Sequence, residues 1–314
     1  MVPALLLLLG GLILLAWSAD RLMAAASSLA HTLGMPPLLL GLLVIGFGTS
    51  APELLISLVA ALDGQPEIAI GNALGSNIAN VGLILGLTLV IFPLPADGAR
   101  RHLGLALLAV ATVLGVALLL DRTLDRLDGA LLLGAMAVAL LLLAFSGRFG
   151  AAAPLLEPDD PPPALGRARA AAELAVMLAV VVISARILVL GAVDLARAAG
   201  ISELAVGLGV VAIGTSLPEL ATGLAAARRG AQGLLYGNLI GSNLFNVLGV
   251  TGLAAVVHPM GLEPALLQRD VPALALFTLA LIAMGLGRLP GRRGVGAALL
   301  VAYTLYLGAL VAGG

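Results

Sequence analysis

The sequence predicts an all-α polytopic membrane protein whose ten transmembrane helices form two inverted five-helix repeats. Three observations carry that expectation. Apolar runs of about 20 residues, long enough to cross a bilayer, recur throughout the chain. Its 314 residues are 61% hydrophobic and only 11% charged, where soluble domains carry about 25% charged residues. A pair of short polar motifs occurs twice, 166 positions apart. Each copy lies within a set of five apolar segments, and an odd set makes the second copy enter the membrane from the opposite side. Inverted repeats of this kind build many secondary transporters, with the binding site near mid-membrane at the repeat interface.

The first five segments lie near 2–30, 36–62, 68–92, 102–120 and 128–147. The opening run from Val2 to Trp17 has neither a basic leader nor a small-residue cleavage site. It reads as a retained first helix, not a signal peptide. Residues 148–169 then break the pattern with Glu157-Pro158-Asp159-Asp160-Pro161-Pro162-Pro163, followed by Arg167 and Arg169. Proline together with charge opposes a spanning helix, so this stretch reads as a cytosolic linker between a first repeat, 1–147, and a second, 170–314. The second five segments lie near 170–197, 202–227, 233–257, 271–288 and 294–312. Shifting 41–93 by 166 aligns it with 207–259 without a gap, and 24 of the 53 positions are identical.

The arginines orient the chain, which has no lysine. With both termini outside, the inner loops hold Arg100, Arg101, Arg148, Arg167, Arg169, Arg228, Arg229, Arg288, Arg292 and Arg293, and the outer loops hold only Arg122, Arg126, Arg197 and Arg269. That excess favours N-out and C-out. A net charge of −1 gives no reason to expect nucleic acid as a partner. The lipid bilayer is the partner the composition demands, and no obligate protein partner is evident. Without cysteine there are no disulfides, thiolate metal sites or thiol nucleophiles. His31, His102 and His258 are scattered near segment ends and form no metal or catalytic cluster. The expectation is that the protein is not an enzyme and carries no cofactor.

The repeated motifs concentrate oxygen. The first copy reads Gly48-Thr49-Ser50-Ala51-Pro52-Glu53, then Gly71-Asn72-Ala73-Leu74-Gly75-Ser76-Asn77 and Asn80. The second reads Gly214-Thr215-Ser216-Leu217-Pro218-Glu219, then Gly237-Asn238-Leu239-Ile240-Gly241-Ser242-Asn243 and Asn246. Helical spacing places Thr49, Ser50 and Glu53 on one face, and likewise Thr215, Ser216 and Glu219. Pro52 and Pro218 lack an N–H, so each helix should kink there and expose carbonyls. Gly46 loosens the first copy further, and Ala212 stands at its place in the second. Asn72, Ser76 and Asn80 form a stripe four residues apart, as do Asn238, Ser242 and Asn246. The combined set is all oxygen, with no His or Cys, which suits hard cations such as Ca²⁺ and Na⁺. An acidic residue at the centre of a span costs about 2.5–3.5 kcal/mol on insertion scales. Two such residues in the same hexapeptide point to ion binding. The bland alternative is that Glu53 and Glu219 cap broken helices or pair with Arg21 or Arg186. Two carboxylates in one cavity cannot both ionise cheaply when it is empty, so H⁺ is expected to compete with the ions.

At these residues the chain resembles the calcium/cation antiporter superfamily, in particular its prokaryotic sodium/calcium exchanger branch. The resemblance covers essentially the whole chain. It implies an antiporter in a prokaryotic inner membrane that exchanges Ca²⁺ for Na⁺ by alternating access. By resemblance, Glu53, Glu219 and the carbonyls of Thr49 and Thr215 hold calcium. Sodium uses the same glutamates with Ser50, Ser76, Ser216, Ser242, Gly46 and Ala212. Asn80 and Asn246 match a deeper pair of amide or acid positions. Some relatives have aspartate where this chain has Asn246, which argues against potassium co-transport. In the family, segments 1 and 6 slide across the other eight. An H⁺/Ca²⁺ antiporter of the same fold, a cation channel and a membrane enzyme are the competing readings.

Overall fold

A computed structural model of the chain describes residues 2–94, 102–148, 166–198 and 212–312. It is almost entirely helical. In chain order the helices are α1 (Val2–Leu33), α2 (Pro37–Thr49), α3 (Ala51–Leu62), α4 (Pro66–Ile91), α5 (His102–Leu119), α6 (Arg126–Arg148), α7 (Arg167–Ala198), α8 (Ala212–Thr215), α9 (Leu217–Arg228), α10 (Gln232–Val257), α11 (Leu266–Gly285) and α12 (Arg293–Ala312). Two two-residue strands, β1 (Thr123–Leu124) and β2 (Met260–Gly261), pair antiparallel and tie the α5–α6 turn to the α10–α11 turn.

Among the described residues, eight helices are long and apolar enough to cross a membrane. The pair α2 and α3, bent by 43° at its break, makes up to nine. The remaining expected segment, 202–227, begins outside the described residues, which resume in α8 and α9. Helix α7 starts at Arg167, so Arg167 and Arg169 occupy its first turn. The protein is a multi-pass membrane protein. Leu6, Ile13, Val110, Val113, Leu279 and Leu305 are each at least 64% exposed on the bare chain, and on spanning helices such side chains face lipid.

Helices α4 and α10 sit at the centre. In their most apolar windows 72% and 83% of residues are buried, against at most 39% in the other long spans. Helices α1 and α7 lie together beside this core and pack intimately. A methyl group placed on Gly11 would come 2.6 Å from the Leu188 nitrogen, and one on Gly191 would come 2.5 Å from the Leu8 nitrogen. Close backbone approach through small residues is the usual way membrane helices associate, because lipid provides no hydrophobic drive.

Two features bend the core helices. The chain breaks at Ser50 (φ −82°, ψ 7°) and at Ser216 (φ −88°, ψ 5°), each two residues before a proline in the first turn of the next helix. The other feature is π-helical turns at Gly41–Gly46, Asn80–Leu85 and Phe245–Val250. Such turns insert an extra residue and cluster at functional sites.

Candidate cation site

The break at Ser50 starts α3 with Glu53 in its first turn, and the break at Ser216 starts α9 with Glu219 in its first turn. Both glutamates therefore sit at helix N-termini, where backbone N–H groups and the helix dipole favour negative charge. Each is 1% exposed. The two halves meet here. The Ser50 hydroxyl donates to Oε1 of Glu219 at 3.1 Å, and the two carboxyl groups lie within electrostatic range of one another. Oε2 of Glu53 and Oε2 of Glu219 have no hydrogen-bond partner. Among the described residues no cation pairs with either: Arg21 reaches Glu173 at 3.5 Å instead, and Arg186 lines a cavity. Neither Ser50 nor Ser216 caps the helix that follows it.

The neutral groups crowd the same place. The Ser242 hydroxyl donates to the Gly46 carbonyl at 3.1 Å. The Thr49 hydroxyl donates back to the Ile45 carbonyl at 3.0 Å and lies 3.3 Å from Oδ1 of Asn238. Oγ of Ser216 is buried and unpartnered. Ser76 is buried on α4, and Thr215 lines the cavity that reaches the second break. Ala212 opens α8, and its side chain lies outside the described residues. Asn80 and Asn246 stand at the π turns of α4 and α10, and each has an orphaned Oδ1. A buried carbonyl-type oxygen without a donor is costly, so a concentration of them marks a place built for a cation. Among the described residues no three His, Cys, Asp or Glu side chains cluster.

Other polar residues position these groups. Nδ2 of Asn72 donates to the Glu53 carbonyl at 3.1 Å and to Ser57 at 3.0 Å. Nδ2 of Asn238 donates to Thr222 at 3.1 Å, whose hydroxyl bonds back to the Pro218 carbonyl at 2.8 Å. Each carboxamide thus ties the central helix to the half-helix that bears the glutamate. Asn243 joins the halves: its Oδ1 accepts from Nδ2 of Asn80 at 2.9 Å and its carbonyl accepts from Nδ2 of Asn77 at 3.1 Å. Asn77 and Asn243 stand in the repeated motif, but sequence reasoning singled out only their neighbours. The motif's recurrence was the signal available for them.

Known proteins show the family to which the chain belongs. The sodium/calcium exchanger protein family matches the chain twice, over residues 3–145 and 170–312. The chain belongs to the sodium/calcium exchanger family. Its relatives place it in the prokaryotic branch. The inner membrane protein YrbG of Escherichia coli (strain K12) is 40% identical over 99% of this chain and 97% of its own length. Sodium/calcium exchanger MaX1 of Methanosarcina acetivorans is 28% identical over 88% of this chain and 89% of its own. The solved structure of the sodium-calcium exchanger NCX_Mj soaked without Na⁺ and Ca²⁺ superposes with a TM-score of 0.85 at 29% identity, covering 98% of this chain and 99% of that one.

Proposed function

We propose that this exchanger is a secondary active antiporter, not an enzyme, that moves Ca²⁺ against Na⁺ by alternating access. Ten spans in two inverted five-helix repeats, 1–147 and 170–314, joined by a cytosolic linker at 148–169, hold the site at their interface. The membrane is the inner membrane of a prokaryote, with both termini outside, as the arginine distribution favours.

One observation carries this reading. Two buried carboxyl groups, one from each half, stand at the N-termini of broken helices, and Ser50 of the first half donates to Glu219 of the second. Each keeps one oxygen unpaired, and among the described residues no cationic side chain pairs with either. Only a mobile cation, Na⁺, Ca²⁺ or H⁺, completes such a site. Glu53 and Glu219 grip calcium with the carbonyls of Thr49 and Thr215. The hydroxyls of Ser50, Ser76, Ser216 and Ser242 and the carbonyls of Gly46 and Ala212 serve sodium, and Asn80 and Asn246 close the deep end. A hydroxyl that donates to Glu219 or to Gly46 still offers its oxygen lone pairs to an ion. Sodium and calcium compete for shared ligands, so one kind leaves before the other binds, and that is what couples their movements.

The test is isotopic calcium uptake into reconstituted vesicles, under an imposed sodium gradient and then under a proton gradient. Uptake driven by sodium alone is expected. Glu53→Gln and Glu219→Gln should each reduce it to background, because each removes a charge that no neighbour replaces. Wild-type uptake in either variant would place the site elsewhere. Uptake driven by protons without sodium would assign H⁺ as the coupling ion.

A further inference from the structure

The 166-residue step extends beyond the signature motifs, and it pairs two sets of charges. In α1, Ser18-Ala19-Asp20-Arg21-Leu22 aligns with Ser184-Ala185-Arg186-Ile187-Leu188 of α7. Ser18 and Ser184 are both fully buried, so the equivalence is spatial as well as sequential. At the ends of α3 and α9, Leu62-Asp63-Gly64 aligns with Arg228-Arg229-Gly230. Gly64 and Gly230 both adopt left-handed backbone, with φ of +73° and +65°, so the two turns are the same turn.

One of these sets is closed. Oδ2 of Asp20 meets Nη2 of Arg229 at 2.6 Å, and Oδ1 meets Nε of Arg229 and Nη2 of Arg228, each at 3.0 Å. This fork holds α1 against the end of α9. The equivalent set on the other face is open. Between α3 and α7 lies a cavity of about 730 Å³ that runs past Ala51 and Pro52 to Gly214, Thr215 and Pro218. Asp63 and Arg186 both line it. Among the described residues neither forms an ion pair or a side-chain hydrogen bond. They occupy the positions of Arg229 and Asp20 with the charges exchanged.

From this juxtaposition we infer that Asp20 with Arg228 and Arg229, and Arg186 with Asp63, are alternating gates on opposite faces of the membrane. In the state described here the first is shut and the second open. In the other state Asp20 leaves the two arginines, and Arg186 meets Asp63 across the cavity and seals it. The exchange of signs has a physical consequence. The two helices that carry the gates, α1 and α7, contribute one negative and one positive group. If they move together, the gates carry no net charge across the membrane potential, so the voltage acts only on the transported ions. The inference rests on the alternating-access reading above.

Its test uses the absence of native cysteine. Val59→Cys places a thiol in the cavity wall, and its labelling by a membrane-impermeant maleimide reports how long that face stays open. In the otherwise native chain the labelling rate should change between saturating Na⁺, saturating Ca²⁺ and no ion. Arg186→Glu sets like charges opposite one another and should raise labelling about two- to fivefold, the range expected for one solvent-accessible ion pair, and slow exchange correspondingly. Adding Asp63→Arg restores the pair with its signs reversed, and should return both readings toward the starting values. That rescue separates a gate from a misfolded variant. Labelling in Arg186→Glu equal to the control, or no recovery in the double variant, overturns the gate. Labelling that ignores ions even in the control overturns alternating access instead, which distinguishes the two failures.

Discussion

Ser50 shows how one side chain joins the two halves. It sits at the break of the first half and donates its hydroxyl to a carboxylate of the second, Oε1 of Glu219, at 3.1 Å. A hydrogen bond to a charged group is worth about 1.5–3 kcal/mol. Ser50→Ala would remove it together with an oxygen that the proposed function assigns to sodium, while leaving the backbone break set by Pro52. The expected result is a roughly tenfold rise in the sodium or calcium concentration for half-maximal exchange, measured as flux against ion concentration, with a fall in stability of about 1–3 kcal/mol from the hydrogen bond lost. An unchanged half-saturation point would mean that Ser50 only spaces the helices. Asn243 does a different job. It accepts Nδ2 of Asn80 and so fixes that carboxamide, whose Oδ1 has no donor and is the oxygen assigned to the cation in the proposed site.

Elements are brought together by the match between a π turn and a glycine pair. In α10, Gly237 and Gly241 are four residues apart and share a face. The facing stretch of α2 is the π turn Gly41–Gly46, whose wider winding brings residues five apart onto one side. Gly41 therefore faces Gly237, and Gly46 faces Gly241 and Ser242. A methyl on Gly241 would lie 2.5 Å from the Leu42 carbonyl oxygen, and one on Gly46 would lie 2.9 Å from the Ser242 nitrogen. This contact brings the Ser242 hydroxyl onto the Gly46 carbonyl. Gly241→Ala should destabilise the protein by about 1–3 kcal/mol through overpacking and slow exchange. Gly10→Ala, where an added methyl meets nothing within 4 Å, should leave stability equal or raise it by up to about 1 kcal/mol through helix propensity. Thermal unfolding in detergent compares them, and equal melting temperatures would refute the packing argument. The glycine pair and the prolines at the breaks were legible in the sequence because each residue type has few structural uses in a membrane. The π turns were not, since an inserted residue leaves no mark in composition or apolar period. The carboxamide ties of Asn72 and Asn238 were half legible: their recurrence was plain, but whether an amide meets an ion or another helix depends on packing. The gate charges stayed hidden because their signs are exchanged, so the aligned positions do not look alike.

For the molecule as a whole, the grouping of helices decides what moves. Helices α1 and α7 pack backbone to backbone through Gly11 and Gly191. Toward the core, α7 meets Gly48 and Gly214 through the side chains of Leu178 and Val189, and α1 is tied to α9 by the Asp20 fork. Two helices joined so closely behave as one body, and the fork is the latch that must release before that body shifts. The chain without cysteine allows this to be tested with introduced pairs. Arg21→Cys with Glu173→Cys, whose native side chains stand as an ion pair at 3.5 Å, joins α1 to α7 when bridged by a bis-thiol reagent, and exchange should continue because the body stays intact. Asp20→Cys with Arg228→Cys, bridged by a reducible bis-thiol reagent, joins α1 to the core, and exchange should fall to background while calcium still binds at equilibrium. Reduction should restore flux to the level of the unbridged double variant. The last comparison matters, because the substitutions themselves remove the latch, and only the bridge tests the motion. Exchange that persists with α1 bridged to α9 would mean that ions reach both faces without the pair moving, and the cavity beside α3 would then be a fixed vestibule.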